Sequence, residues 1–126
     1  MDIKDFKYNR LVRFLLERSL ISKGQFEIIY TRKTMSKGYG YSAKDRSRGA
    51  YYRLLGQSRS KVESVLYSIL LLVAIGALDE KRLRVMQQLM EQISIISSRD
   101  MDDADIEVVI SVIQELVKQI GKDTVL

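Results

Sequence analysis

The sequence contains no cysteine, histidine, proline or tryptophan among its 126 residues. Without cysteine there is no disulfide framework and no thiolate chemistry. Without cysteine and histidine together, we expect no zinc site or other bound metal. A catalytic triad that depends on histidine is excluded as well. The absence of proline is typical of a mostly helical chain, because proline breaks helix interiors.

Long hydrophobic runs are also missing. The longest apolar stretch, Val65–Leu78 with Ser68 inside it, covers 14 residues. A helix needs roughly 18–20 such residues to cross a bilayer. The charged start of the chain, Met1–Asp5, does not resemble a signal peptide. We therefore expect no membrane association and a cytoplasmic location, and the chain is long enough for a single domain with its own core.

The charged residues are distributed unevenly along the chain. Residues 1–62 contain 15 Lys and Arg against 5 Asp and Glu, whereas residues 63–126 contain 6 against 11. A basic half followed by an acidic half indicates one surface that binds a polyanion and another with a different task. An ordinary solvated surface is the alternative.

The first third of the chain predicts two helices. Asp2–Leu20 carries an apolar stripe at helical spacing. Ser22 and Gln25 form a capping-box pattern that starts a second helix, which we expect to run to about Thr34. The β-branched residues of Ile28–Thr31 leave a short strand as the alternative in that segment.

Residues 36–49, SKGYGYSAKDRSRG, are the longest loop-like stretch. Basic side chains alternate there with tyrosines, a mixture that suits contacts with phosphate, sugar and bases. A flexible connector whose tyrosines pack on the domain is the alternative. The residues in this stretch that we expect to contact nucleic acid are Lys37, Tyr39, Tyr41, Lys44, Arg46 and Arg48.

The stretch Tyr51–Leu66, YYRLLGQSRSKVESVL, combines two helical patterns with an interruption between them. Gly56 can adopt the left-handed conformation that ends a helix. Ser60 and Glu63 form a capping-box pattern that starts another. We therefore expect a turn at Gly56-Gln57-Ser58 between two helices, which is the helix-turn-helix arrangement.

Within this stretch, LLGQSRSKVESVL resembles the helix-turn-helix of bacterial and archaeal transcription regulators, where Leu-Gly, a short turn, Ser-Arg-Ser and Val-x-x-Val/Leu recur. The resemblance extends over about 16 of the 126 residues. It implies that the start of the second helix contacts base edges. The residues assigned to DNA contact on this basis are Arg59, Ser60, Lys61 and Ser64. Apart from the resemblance, we also expect Arg53 and Tyr67 to contact DNA.

The remainder of the chain predicts a core and a dimerisation region. From Ile69 to Ile75 every side of the helix is apolar, so we expect this segment to be buried in the core or in a subunit interface. Asp79 is the expected cap of the next helix, and the last helix is expected to run from about Asp102 and stop at Gly121. Its apolar residues lie on two sides, which favours dimerisation through the segment after Asp79. A single wide core face is the alternative.

Together these patterns predict an all-α protein of five to six helices, with a central helix-turn-helix and a C-terminal helical pair. The basic half, residues 1–68, is expected to bind double-stranded DNA, and the acidic half, residues 69–126, to form the core and pair two copies. The predicted function is that of a small homodimeric transcription regulator associated with the nucleoid, without cofactor or enzymatic activity. The composition is compatible with a thermophilic microbe, of archaeal or viral origin.

Two other functional classes stay open from the sequence. The first is a helical protein-interaction module whose C-terminal helices bind a partner chain. The second is an RNA-binding or single-strand-binding protein that uses the tyrosine-rich loop.

Overall fold

A computed structural model describes residues 9–34, 47–97 and 102–125, which form five α-helices and no strand. The helices are α1 (Asn9–Arg18), α2 (Lys23–Thr34), α3 (Arg48–Ala74), α4 (Glu80–Ser97) and α5 (Asp103–Val125). The prediction of an all-α fold is confirmed. The strand considered for Ile28–Thr31 does not form, because this segment lies inside α2. The predicted start of the first helix at Asp2 lies outside the described residues.

Side-chain caps fix the beginnings of four helices. At α2, the Gln25 amide donates to Ser22 Oγ (3.2 Å) and the Ser22 amide donates to Gln25 Oε1 (3.0 Å), which confirms the predicted capping box. Ser47 Oγ accepts from the amide three residues later at the start of α3 (3.2 Å). Before α4, Asp79 Oδ1 accepts a hydrogen bond from the amide three residues later (3.0 Å). Before α5, Asp102 Oδ1 accepts one in the same way (2.9 Å).

The predicted turn at Gly56-Gln57-Ser58 is wrong, because α3 continues through it as a single helix of 27 residues. Gly56 does not take the left-handed conformation, and Gly76 is the one glycine in the described ranges with a positive φ. Ser58 is buried and its Oγ donates to the Leu54 carbonyl at 2.7 Å, so its hydroxyl is satisfied inside the helix. The pattern at Ser60 and Glu63 therefore falls in the middle of a helix.

The glycine that ends α3 is Gly76, with a φ of 78°. The Ala77 amide donates to the Leu72 carbonyl (2.9 Å) and the Gly76 amide to the Val73 carbonyl (3.0 Å), which is the Schellman pattern. The predicted stop at Gly121 is wrong, since α5 runs through that residue to Val125. A glycine ends a helix only where the contacts of the residues after it favour a left-handed backbone conformation at the glycine.

The chain divides into two compact units. Of the described residues, the first unit contains 15–34 and 47–68, and the second contains 9–14, 69–97 and 102–125. The core of the first unit consists of Ile28, Tyr51 and Leu55, with Leu54 packed against it. The buried apolar residues of the second unit are Leu11, Phe14, Leu78, Leu89, Ile96, Ile106, Ile110 and Ile113.

Burial of the apolar segment Ile69–Ile75 was a further expectation, and it is wrong for the single chain. Leu70, Leu71 and Ile75 are exposed, and Ile69 and Val73 are only partly covered. The described helices cover one side of this segment and leave its other sides open. A subunit interface, the second half of the same expectation, is not contradicted by this exposure.

Candidate nucleic-acid interface

The first half of α3 packs on α2 along one side and faces solvent along the other. Tyr51, Leu55 and Ser58 are buried, and their spacing of four and three residues places them on one face of the helix. Arg32 of α2 reaches across, and its Nη1 donates to the Tyr51 hydroxyl at 3.3 Å. These contacts fix the orientation of α3 and thereby determine which of its residues point outward.

A shallow groove of about 640 Å³ runs along the outward side of α3, and we call it the polar groove. It is lined by Gln25, Tyr52, Arg53, Gly56, Gln57, Ser60, Lys61 and Ser64. Two of these side chains are cationic, five others carry amide or hydroxyl groups, and the lining residues include no carboxylate. A groove with this composition offers hydrogen-bond donors and positive charge to a ligand.

The helical repeat explains why these residues share one side. Arg53, Ser60 and Ser64 are separated by seven and four residues, which are spacings that return to the same face of an α-helix. All three are exposed, and Lys61 beside them is partly buried. Because α3 is continuous through this region, the side chains form a row along one side of the helix.

The start of α2 contributes Gln25 to the same groove. The carboxamide oxygen of Gln25 already accepts a hydrogen bond from the Ser22 amide (3.0 Å). Its NH₂ group is therefore the part of the side chain that can donate to a bound molecule. The capping box thus both starts the helix and holds a donor at the edge of the groove.

A second groove of about 470 Å³ lies between α2 and α3 on the other flank, and we call it the apolar groove. It is lined by Ile28, Ile29, Arg32, Lys33, Leu55, Ser58, Arg59, Val62 and Glu63. Apolar side chains form much of this lining, and its charged residues include the carboxylate of Glu63 as well as three cations. This flank is less suited to an extended anion than the polar groove is.

The first unit as a whole is basic. Its described residues include eight cationic side chains, namely Arg18, Lys23, Arg32, Lys33, Arg48, Arg53, Arg59 and Lys61. They include three acidic ones, namely Glu17, Glu27 and Glu63. The polar groove therefore lies on a unit whose overall field attracts anions.

The predicted DNA-contact residues fall into separate groups in the fold. The polar groove brings together Arg53, Ser60, Lys61 and Ser64, whereas Arg59 lines the apolar groove. Arg48 is exposed at the first position of α3, and Tyr67 is exposed about one turn after Ser64. The predicted loop residues Lys37, Tyr39, Tyr41, Lys44 and Arg46 lie outside the described residues.

Besides Gly56, three lining residues were not predicted from the sequence: Gln25, Tyr52 and Gln57. Tyr52 and Gln57 share a face with Arg53 and Ser60 only if the stretch is a continuous helix, so the expected turn concealed them. Gln25 had been recognised only for its part in the capping box. A helical projection of residues 48–64 without a break would have shown the two α3 residues.

No protein-family model matches the sequence, and no match appears among curated proteins or among solved structures. None of the helices in the described ranges is long and apolar enough to span a lipid bilayer. The side chains of the polar groove and their charges are therefore the basis for assigning a function.

Proposed function

We propose that this chain binds double-stranded DNA through the polar groove and the adjoining exposed side of α3, and that it acts as a small homodimeric transcription regulator on the nucleoid. The observation that carries the proposal is the composition of the groove. Two cations, five amide- or hydroxyl-bearing side chains and no carboxylate line it, on a unit with eight basic and three acidic described residues.

The dimensions of an α-helix suit this role. A helix with its side chains is ~10–12 Å across, and the major groove of B-form DNA is ~12 Å wide. The row of Arg53, Ser60 and Ser64 lies on the side of α3 opposite its buried face, so the duplex approaches α3 from its solvent side. In this geometry DNA meets the side of a continuous helix instead of the N-terminal end of a recognition helix.

Some groove residues are suited to provide affinity for any DNA sequence, and others to provide sequence specificity. Arg53 and Lys61 supply charge that neutralises phosphates on any sequence. Gln57, Ser60 and Ser64 present neutral donors and acceptors; glutamine suits the edge of adenine, and serine can bond to several bases. A site with both kinds of side chain supports sequence preference, which a transcription regulator requires.

Duplex DNA fits the groove better than duplex RNA does. The major groove of A-form RNA is deep and narrow, so the side of a helix cannot reach its base edges. Recognition of single strands relies on aromatic platforms, and the tyrosines considered for that role, Tyr39 and Tyr41, lie outside the described residues.

Two neighbouring substitutions test the proposal. Lys61→Ala and Arg59→Ala each remove one positive charge, at positions two residues apart, but Lys61 lines the polar groove and Arg59 the apolar groove. We expect Lys61→Ala to weaken binding to a random duplex and to lower the slope of log K against log salt by about 0.9. Arg59→Ala should leave the slope nearly unchanged.

The measurement is fluorescence anisotropy with a labelled duplex between about 50 and about 200 mM salt. Equal losses for the two variants would show that the polar groove is not the contact surface. If the wild-type protein does not bind at the lowest salt, DNA binding is refuted and the protein-interaction module becomes the better hypothesis.

A further inference from the structure

The apolar groove lies wholly within the first unit, and its lining residues separate into a bottom and a rim. Ile28, Leu55 and Ser58 are buried and form the bottom. The Ser58 hydroxyl is already used, because it donates to the Leu54 carbonyl at 2.7 Å. The bottom therefore offers apolar contact and no free hydroxyl proton, so the part of a ligand that reaches it has to be apolar.

The rim of the apolar groove is mainly cationic. Arg32, Lys33 and Arg59 are exposed there together with one carboxylate, that of Glu63. Within the described ranges, none of these four side chains takes part in an ion pair. A single anionic group placed over the groove therefore meets three cations whose charges no ion pair neutralises. Glu63 opposes a longer polyanion on the same rim.

The dimensions of the apolar groove suit a small molecule. Its volume of about 470 Å³ lies within the ~300–1,000 Å³ that is usual for small-molecule sites. Along α3 the lining extends from Leu55 to Glu63, which is ~12 Å at ~1.5 Å per residue. Two turns of a helix ~10–12 Å across would need roughly twice the volume of the groove, so a partner helix would lie mostly outside it.

We propose that the apolar groove binds a small carboxylate with an aliphatic chain, and that this ligand weakens DNA binding at the polar groove. The aliphatic chain packs on Ile28, Leu55 and Val62, and the carboxylate lies among the cations of the rim. Arginine is well suited to hold a carboxylate, since its guanidinium group can donate two parallel hydrogen bonds. The second part of the proposal rests on the proposed DNA-binding function.

Contacts of Arg32 link the two grooves within the first unit. Arg32 Nη1 donates to the Tyr51 hydroxyl at 3.3 Å. The ring of Tyr51 meets the ring of Tyr52 edge to face, with centroids 5.1 Å apart, and Tyr52 lines the polar groove. A carboxylate that binds Arg32 competes with the Tyr51 hydroxyl and thereby changes the support of Tyr52. It also adds negative charge to the unit that attracts DNA, so DNA affinity falls.

Titration calorimetry with octanoate, without DNA and below the concentration at which it forms micelles, tests the site. Acetate lacks the aliphatic chain, 1-octanol lacks the charge and octylammonium carries the opposite charge. Octanoate should bind, and each of the other three should bind at least about fivefold more weakly. In NMR spectra, the methyl resonances of Ile28, Leu55 and Val62 should shift as octanoate is added.

Charge reversal at two positions of α3 locates the octanoate site. Arg59→Glu gives the rim equal numbers of positive and negative charges, so octanoate binding should weaken at least about 10-fold. Arg53→Glu is the matched control, because it makes the same change on the same helix but in the polar groove. It should alter octanoate affinity by less than about twofold at physiological salt. Circular dichroism checks that both variants remain helical.

Failure of the wild-type protein to bind octanoate, or equal losses in the two variants, would overturn the inference. A peptide that forms an acidic amphipathic helix serves as the competing ligand. If that peptide binds and shifts the same methyl resonances while octanoate does not, the groove is a docking site for a protein partner and the inference is wrong.

Fluorescence anisotropy with a labelled duplex tests the effect on DNA binding, with acetate at the same concentration as the control for ionic strength. Saturating octanoate should lower the DNA affinity of the wild-type protein about threefold or more, and that of Arg59→Glu much less. An unchanged affinity in the wild-type protein would overturn the coupling between the grooves. A protein that binds octanoate but no DNA would refute the proposed function and retain the carboxylate site.

Discussion

Ser58 and Gly56 show why a helix continues through residues that usually mark a turn. Ser58 is 1% exposed, and its hydroxyl donates to the Leu54 carbonyl at 2.7 Å. A small polar residue at this position lets α3 approach α2 closely without leaving an unsatisfied hydroxyl. Gly56 lies on the outer side, where a Cβ atom would meet nothing within 4 Å. Neither residue requires the chain to turn.

Replacement of Gly56 distinguishes a helix from a turn at this position. In a continuous helix with open space around it, Gly56→Ala should stabilise the protein by about 0.5–1 kcal/mol, because alanine has the better helix propensity. Chemical denaturation followed by circular dichroism measures the change. A loss of stability would indicate the left-handed backbone of a helix-turn-helix, and the fold assigned to α3 would then be wrong.

Substitutions at Ser58 test how closely α2 and α3 pack against each other. Ser58→Leu should destabilise the protein by about 1–3 kcal/mol, because the larger side chain has no space at a buried position. Ser58→Ala should change stability by less than about 1 kcal/mol, because the lost hydrogen bond is offset by better helix propensity. The same denaturation measurement applies. Similar free energies for the two variants would mean that the position is not closely packed.

Among the helices, beginnings were more predictable than ends. The caps at Ser22, Asp79 and Asp102 are local, because a side chain and an amide three residues later form each of them. The ends depend on whether a glycine takes a positive φ, which tertiary contacts decide. Gly56 and Gly121 therefore appeared to be stops although they lie within helices, whereas Gly76 is a real one.

The cap of α4 gives a pH-dependent prediction. The pKa of Asp79 is below its ordinary value, mainly because the Arg82 amide donates a hydrogen bond to its carboxylate, with further help from the positive charges of Arg82 and Lys81; desolvation opposes these effects. The folded state thus favours the ionised form. Asp79 stabilises the protein at neutral pH, and this stabilisation is lost as the pH falls through the pKa of the folded state.

Asp79→Ala should therefore lower the free energy of unfolding at pH 7, and the difference from wild type should shrink below about pH 4, where the carboxyl is protonated in the unfolded chain. Denaturation curves of both proteins across this range measure the difference. Lys118→Ala on α5 serves as the control for general effects of charge. A difference that stays constant down to acid pH would show that Asp79 does not act through its carboxylate.

The polar groove also contains some features that the sequence predicted and others that only the fold of α3 shows. Ser60, Lys61 and Ser64 were predicted from the resemblance to helix-turn-helix regulators, Arg53 was predicted as a further DNA contact, and the fold places all four in one groove. The separation of Arg59 from them was not predictable from a motif that begins a helix at that point. Only the phase of a continuous α3, fixed by the burial of Tyr51 and Leu55 against α2, shows which neighbours share a side.

At the scale of the molecule, the two units differ in charge. The described part of the first unit carries eight basic and three acidic residues, whereas that of the second carries seven and nine. DNA affinity should therefore depend on the first unit. Lys118→Ala, in the second unit, should leave the affinity for a random duplex and its salt dependence unchanged in anisotropy measurements. A drop equal to that of Lys61→Ala would mean that the duplex contacts both units.

The apolar segment Ile69–Ile75 shows that a sequence pattern alone does not predict whether a segment is buried within its own chain. A helix that is apolar on all sides is expected to be buried, but the described helices leave much of Ile69–Ile75 exposed. Whether such a segment lies in a core or between two copies depends on how many other elements are available to cover it. That number is a property of the whole fold and not of the segment.

The most direct test of the proposed DNA-binding surface compares two adjacent positions on α3. Ser60→Cys and Arg59→Cys, each labelled with a short photo-cross-linker, place the same reagent in the polar groove and in the apolar groove. Because the chain has no other cysteine, each label is unique. On irradiation with a bound duplex, the label at position 60 should cross-link to DNA in a yield several times that of the label at position 59. Equal yields, or a higher yield from position 59, would contradict the assignment of the polar groove as the DNA-binding surface.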